Sequence, residues 1–78
     1  MTRCDVAVDV GNTRIKWGRC STNAVTQAAA LLPDPADWSR QLAAWPMAPH
    51  AHWVVSGVHP QRMAALDHWL RAQGFVAA

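Results

Sequence analysis

Hydrophobic and polar positions along the chain fall into two periods. "CDVAVDV" (4–10) alternates and is rich in valine, which predicts a buried strand. "TRIKWGRC" (13–20) keeps the two-residue period, with Ile15 and Trp17 on one face and Arg14 and Lys16 on the other. Between them, Gly11-Asn12 is a two-residue hairpin signal in which glycine supplies the positive φ of a type II′ turn. "STN" (21–23) makes a second turn. "AVTQAAAL" (24–31) follows as a third strand, although its alanines also suit a helix.

The period then lengthens to that of a helix. Asp34 is placed to cap it, Pro35 takes its first position, and Trp38, Leu42 and Trp45 recur at i, i+4, i+7. Pro46 stops this helix and "MAPHA" is loop. "HWVVSGV" (52–58) is a fourth strand. Pro60 opens a second helix running to Gln73, with Met63, Leu66 and Leu70 on one side and Gly74 suited to the C′ position. "FVAA" begins a fifth strand. The order βββαβα(β) has three strands in meander and then a helical crossover. It predicts an α/β fold, a mixed sheet with helices packed on it. No repeat, low-complexity segment or linker divides the 78 residues, so residues 1–78 are expected to form one small domain or a piece of a larger one.

Composition narrows the class. With 51% apolar residues the chain is not disordered. At this length, however, folding buries only roughly 60% of the exposed surface, so stability is marginal. A net charge of +2, evenly spread, does not imply a nucleic-acid partner. All but one of the seven basic residues are arginine and glutamate is absent, which reads as genomic bias. No apolar run approaches the ~20 residues that cross a bilayer. The N-terminal stretch is a poor signal peptide, with Asp5 inside its short apolar run. No membrane partner and a cytoplasmic location are therefore expected. Cys4 and Cys20 are expected to be reduced and buried. The predicted hairpin brings them close, which leaves a disulfide on oxidation as the alternative.

Candidate chemistry gathers in "DVGNTRIKW" (9–17). Asp9, at the end of a strand beside a glycine turn, suits Mg²⁺, which takes oxygen ligands and keeps several waters plus substrate phosphates. Gly11 lets backbone N–H groups approach a phosphate with no Cβ in the way. Asn12 and Thr13 add side-chain donors, and Lys16 returns positive charge to the same space. Against this, Asp, Gly, Asn and Thr are ordinary turn formers, and the stretch is not a Walker A loop. On the residues alone both readings stay open. His50 and His52 could share a metal, but no third ligand stands at a recognised spacing, so zinc is not expected. The five tryptophans mostly fall on predicted apolar faces and read as core or interface packing rather than base stacking, and no Ser/His/Asp or Cys/His pair suggests a nucleophile.

"VAVDVGNTRIKWG" resembles the first phosphate motif of type III pantothenate kinases, Asp-x-Gly-Asn-Thr-x-x-Lys, at the end of the first strand. "WVVSGVHPQRMAALDHWL" resembles that family's later strand, Ser-x-Val-x-Pro-like turn and helix, with Gly57-Val58-His59 a departure from a more uniformly small and apolar turn. The resemblance implies a partial ribonuclease-H-like domain of the actin, heat-shock chaperone and sugar-kinase type. In that family such domains are normally duplicated, with ATP and pantothenate between the halves. It implies ATP-dependent phosphorylation of pantothenate, the first step toward coenzyme A. Asp9 would help hold Mg²⁺, Gly11, Asn12, Thr13 and Lys16 would line the ATP phosphates, and Ser56 would lie near the mouth of the cleft. A monovalent cation (K⁺ or NH₄⁺) and a homodimer belong to the same expectation.

The family continues with Gly-x-Asp-Arg, whose aspartate is assigned as general base, and with Asp-x-Gly-Thr. Neither occurs in these residues, so no catalytic residue is expected here. The chain reads as a truncated N-terminal kinase domain, inactive alone. The alternatives are a non-catalytic phosphate-binding or protein-interaction module, or a degenerate remnant.

Overall fold

Val6, Val8 and Val10 are buried while Ala7 and Asp9 turn the other way, so the period-two alternation of β1 (Val6–Val10) sets the two faces of a sheet. The computed structural model describes residues 4–21 and 24–77. The other elements are β2 (Ile15–Ser21), β3 (Ala24–Leu31), α1 (Pro35–Ala44), β4 (His52–Gly57), α2 (Pro60–Ala72) and β5 (Val76–Ala77). The strands form one sheet in the order β3-β2-β1-β4-β5. The β1–β2 and β2–β3 pairs are antiparallel, and β1–β4 and β4–β5 are parallel. This is the expected α/β arrangement with a mixed sheet, and α1 and α2 are the crossovers that parallel pairing requires.

Both helices bury their apolar sides in a single cluster on one face of the sheet. The rings of Trp17 and Trp53 meet nearly at right angles within the sheet, centroids 4.8 Å apart, and Trp38 and Trp69 pack at 5.6 Å between the helices; Trp17 and Trp69, 6.2 Å apart, join sheet to helix. Trp17, Trp38, Trp45 and Trp53 are buried, with Trp69 half-buried against them. A buried indole removes about 200 Å² from water, worth roughly 5 kcal/mol as an upper estimate. That payload suits a chain too short for a large aliphatic core. Among the described residues, no helix is long and apolar enough to cross a membrane.

Local signals set the helix ends. The Asp34 side chain accepts from the Ala36 N–H at 3.0 Å, and the Leu32 N–H donates to Asp37 at 2.9 Å. Trp45 lies one residue beyond α1 yet stays buried, its N–H bonded to the Gln41 carbonyl. α2 ends at Ala72, about where expected, with Gln73 as its C-cap and Gly74 in the left-handed region at φ 90°.

The hairpin differs from expectation. A Gly11-Asn12 turn would pair Val10 with Thr13, but Val10 pairs with Ile15, and the loop is the four residues Gly11 to Arg14. Gly11 has no positive φ, so the turn is not type II′. The Gly11 N–H closes the loop on the Arg14 carbonyl at 2.9 Å, with Asn12 and Thr13 at the tip. This register lies two residues from the expected one, so Ile15 and Trp17 still face the core. Cys4 and Cys20 are half-buried rather than buried: Cys4 precedes β1, and Cys20 stands next to Ser21, the exposed last residue of β2. Ser21 belongs to β2. Thr22 and Asn23 of the expected second turn, and Ala78 of the fifth strand, lie outside the described residues.

Candidate functional site

β1 and β4 run side by side in the same direction, so their C-terminal ends emerge together. In open α/β sheets this is the edge where ligands bind. Here the Gly11–Arg14 loop leaves β1, and residues 58–59 carry β4 into α2. The Val58 N–H donates to the Val10 carbonyl at 3.1 Å. Gly57 sits at φ 150°, and a Cβ there would lie 2.2 Å from the Val10 oxygen, so only glycine lets the two chain ends approach this closely. His59 caps α2: its Nδ1 accepts from the Arg62 N–H at 3.2 Å, which requires that nitrogen to be unprotonated. The Arg62 guanidinium reaches back and donates to the Gly11 carbonyl at 3.3 Å. Loop, strand end and helix start are thus tied together.

Register assembles the rest. Asp9 stands opposite Lys16 on β2 and opposite Ser56 on β4. The three form one row on the face turned away from the helices, and all are exposed. Directly opposed antiparallel residues have Cα atoms about 5 Å apart, so a carboxylate and an ammonium share one small area. Among the described residues neither Asp9 nor Lys16 has a side-chain hydrogen bond or ion pair, which leaves both charges open to a ligand. The Ser56 hydroxyl donates to the Val8 carbonyl at 3.3 Å. A groove of about 250 Å³ beside Lys16 is lined by Ala28, Ala29 and Ala30. A depression of about 270 Å³ at the far end of the sheet, lined by Asp5, Arg19, Cys20 and Thr26, is remote from this row.

The expected site residues are therefore brought together: Asp9, Gly11, Asn12 and Thr13 by sequence, Lys16 by the hairpin, Ser56 by the parallel pair. One role changes. The Gly11 N–H is committed to Arg14, so the loop amides open to an anion are those of Asn12 and Thr13 at the exposed tip. A Cβ on Gly11 would meet the Arg14 carbonyl oxygen at 3.1 Å, so this glycine serves loop closure. Asp9 is a single carboxylate, and among the described residues no three His, Cys, Asp or Glu side chains gather for a metal. That donor set fits Mg²⁺ held mainly by water and phosphate oxygens. His50 contacts the Gly74 carbonyl through Nδ1 at 3.1 Å, and His52 lies in β4.

Three residues escaped sequence reasoning. Gly57 and His59 stood in what read as a departure from a family turn, and Arg62 was not singled out. The available signal was Gly-x-His-Pro before a helix, with Arg62 three residues after the cap. No protein-family model matches the chain, and no curated protein matches it.

Proposed function

We propose that the end of the sheet formed by β1, its loop and β4 binds the phosphates of ATP together with Mg²⁺. On this reading the chain carries the first phosphate motif of a type III pantothenate kinase-like N-terminal domain. The observation that carries it is the single exposed row Lys16–Asp9–Ser56, with both charges unpaired among the described residues, beside a loop whose tip amides are open. The mixed five-stranded sheet with helices packed on it is compatible with the ribonuclease-H-like domain that the resemblance implies.

Lys16 neutralises phosphate charge, and the Asn12 and Thr13 side chains and amides orient the phosphate oxygens. Asp9 accepts from the waters of Mg²⁺, which supplies charge neutralisation when bound. Arg62 holds the loop by the Gly11 carbonyl. No residue here is proposed to deprotonate pantothenate, since Gly-x-Asp-Arg does not occur among these residues. The chain by itself should not raise pantothenate phosphorylation above a no-protein control.

Calorimetric titration of Mg·ATP into the wild type, Asp9→Asn and Lys16→Ala tests the reading. Binding weakened in both variants is expected. Equal binding in all three, or none in the wild type, overturns it. A non-catalytic protein-binding role is favoured by one observation: Ala7, Gly18 and Ala28 continue the same sheet face with, among the described residues, no helix over it. Self-association beyond the 8.5 kDa monomer without nucleotide binding would select that role.

A further inference from the structure

The far end of the sheet holds a second chemical feature, independent of the phosphate-binding reading. The Cys4 Sγ lies 3.8 Å from the Cys20 Sγ, and both thiols are only half-buried. We infer that Cys4 and Cys20 are a site of reversible oxidation, closing an intramolecular disulfide in reaction with small disulfides of the glutathione class.

The backbone around the two thiols is held from both sides. The Asp5 N–H donates to the His52 carbonyl at 2.8 Å, and the His52 N–H donates to the Asp5 carboxylate at 2.8 Å, fixing the chain next to Cys4 against β4. The Cys20 N–H donates to the Asp5 carbonyl at 2.8 Å, fixing β2 on the other side. Cys4 precedes a bend at Asp5 and lies outside β1, so strand alternation does not turn its side chain away from Cys20. The sulfurs must approach by under two ångströms to reach bonding distance of about 2.05 Å. Partial rotation about the Cα–Cβ bonds supplies such a shift at half-buried positions. Cys20 also lines the 270 Å³ depression with Arg19 and Thr26, which gives a small reagent a route to its sulfur.

The chemistry balances. One thiolate attacks a sulfur of the small disulfide, forming a mixed disulfide and expelling one thiolate. The second cysteine sulfur then attacks the protein side of that bond and expels the other. Two electrons pass to the small disulfide, and the two thiol protons go to its leaving sulfurs. The bridge would tie the entry to β1 to the end of β2. That is the end of the hairpin opposite the Gly11–Arg14 loop, so oxidation stiffens the sheet and leaves the phosphate loop uncovered. In a glutathione-buffered compartment both thiols stay reduced, and the bridge is a response to oxidant.

The test treats the folded protein, without nucleotide, with oxidised glutathione, then quenches with acid, alkylates and measures intact mass. Expected is loss of two hydrogens with no alkylation and no glutathione adduct. The bridge should form on the order of tenfold faster than in denaturant, because the fold supplies proximity. The oxidised protein should melt roughly 10 °C higher. Cys20→Ser should instead accumulate a glutathione adduct. Adducts or covalent dimers in the wild type in place of the bridge, persistent free thiols, or equal rates folded and denatured would each overturn the inference.

Discussion

The carbonyl oxygen of Val10 occupies the space beside Gly57 where any other residue would carry its Cβ, at 2.2 Å. Two strand ends meet there, and both lead into the loops of the candidate site. Gly57→Ala must displace Val10 backbone rather than a flexible side chain, and it also places alanine at φ 150°. It should lose about 3 kcal/mol of stability. Urea unfolding of the two proteins checks this; a loss under about 1 kcal/mol would show that the strand ends can separate.

Asp9 and Lys16 are opposite one another yet unbonded and exposed. Exposed pairs of this kind contribute about 0–1 kcal/mol. Lys16→Ala should therefore leave stability within about 0.5 kcal/mol of wild type while weakening phosphate binding about tenfold. Parallel unfolding and titration measurements separate the two effects. A variant that loses both would make Lys16 a structural residue.

Helix α1 depends on its cap. Asp34 accepts from the Ala36 N–H, and its own backbone carbonyl accepts from Trp38 at 3.1 Å. Asp34→Ala should cost about 1 kcal/mol and Asp34→Asn much less, since asparagine keeps the acceptor. Thermal melts of the two variants rank them, and equal losses would argue against the cap.

The Cys4 thiol is held above its ordinary value by burial first, then by its hydrogen bond to Cys20 and the negative charge of Asp5. Its alkylation rate should keep rising at alkaline pH after that of the denatured protein has levelled off. The fold binds this proton more tightly than the unfolded chain does. The associated stability is thus present below the unfolded value and lost as pH rises through the folded one. Coincident rate profiles for folded and denatured protein would contradict the shift.

Much of the fold was legible because its signals are local. β3 spans the residues its pattern indicates, and both helices begin at Pro35 and Pro60 as capping and proline geometry require. The core faces of β1 and β2 follow from alternation alone. The hairpin register was not legible. A slip of two residues leaves every side chain on its own face, so the apolar pattern cannot distinguish Val10 opposite Thr13 from Val10 opposite Ile15. The thiol pair was legible as a neighbourhood but not as a contact, which depends on the bend at Asp5 and its bonds to His52.

The sequence by itself determined the elements, their faces and the cluster Asp9, Gly11, Asn12, Thr13, because each follows from interactions within a few residues. The tertiary structure alone decided that β4 lies parallel to β1. That placement brings Ser56 beside Asp9, presses Gly57 against Val10 and lets Arg62 reach the Gly11 carbonyl. A crossover through a helix can land on either side of a sheet, and where it lands is settled by which faces bury together, here the tryptophans of β2, β4 and α1 with Leu66 and Leu70 of α2.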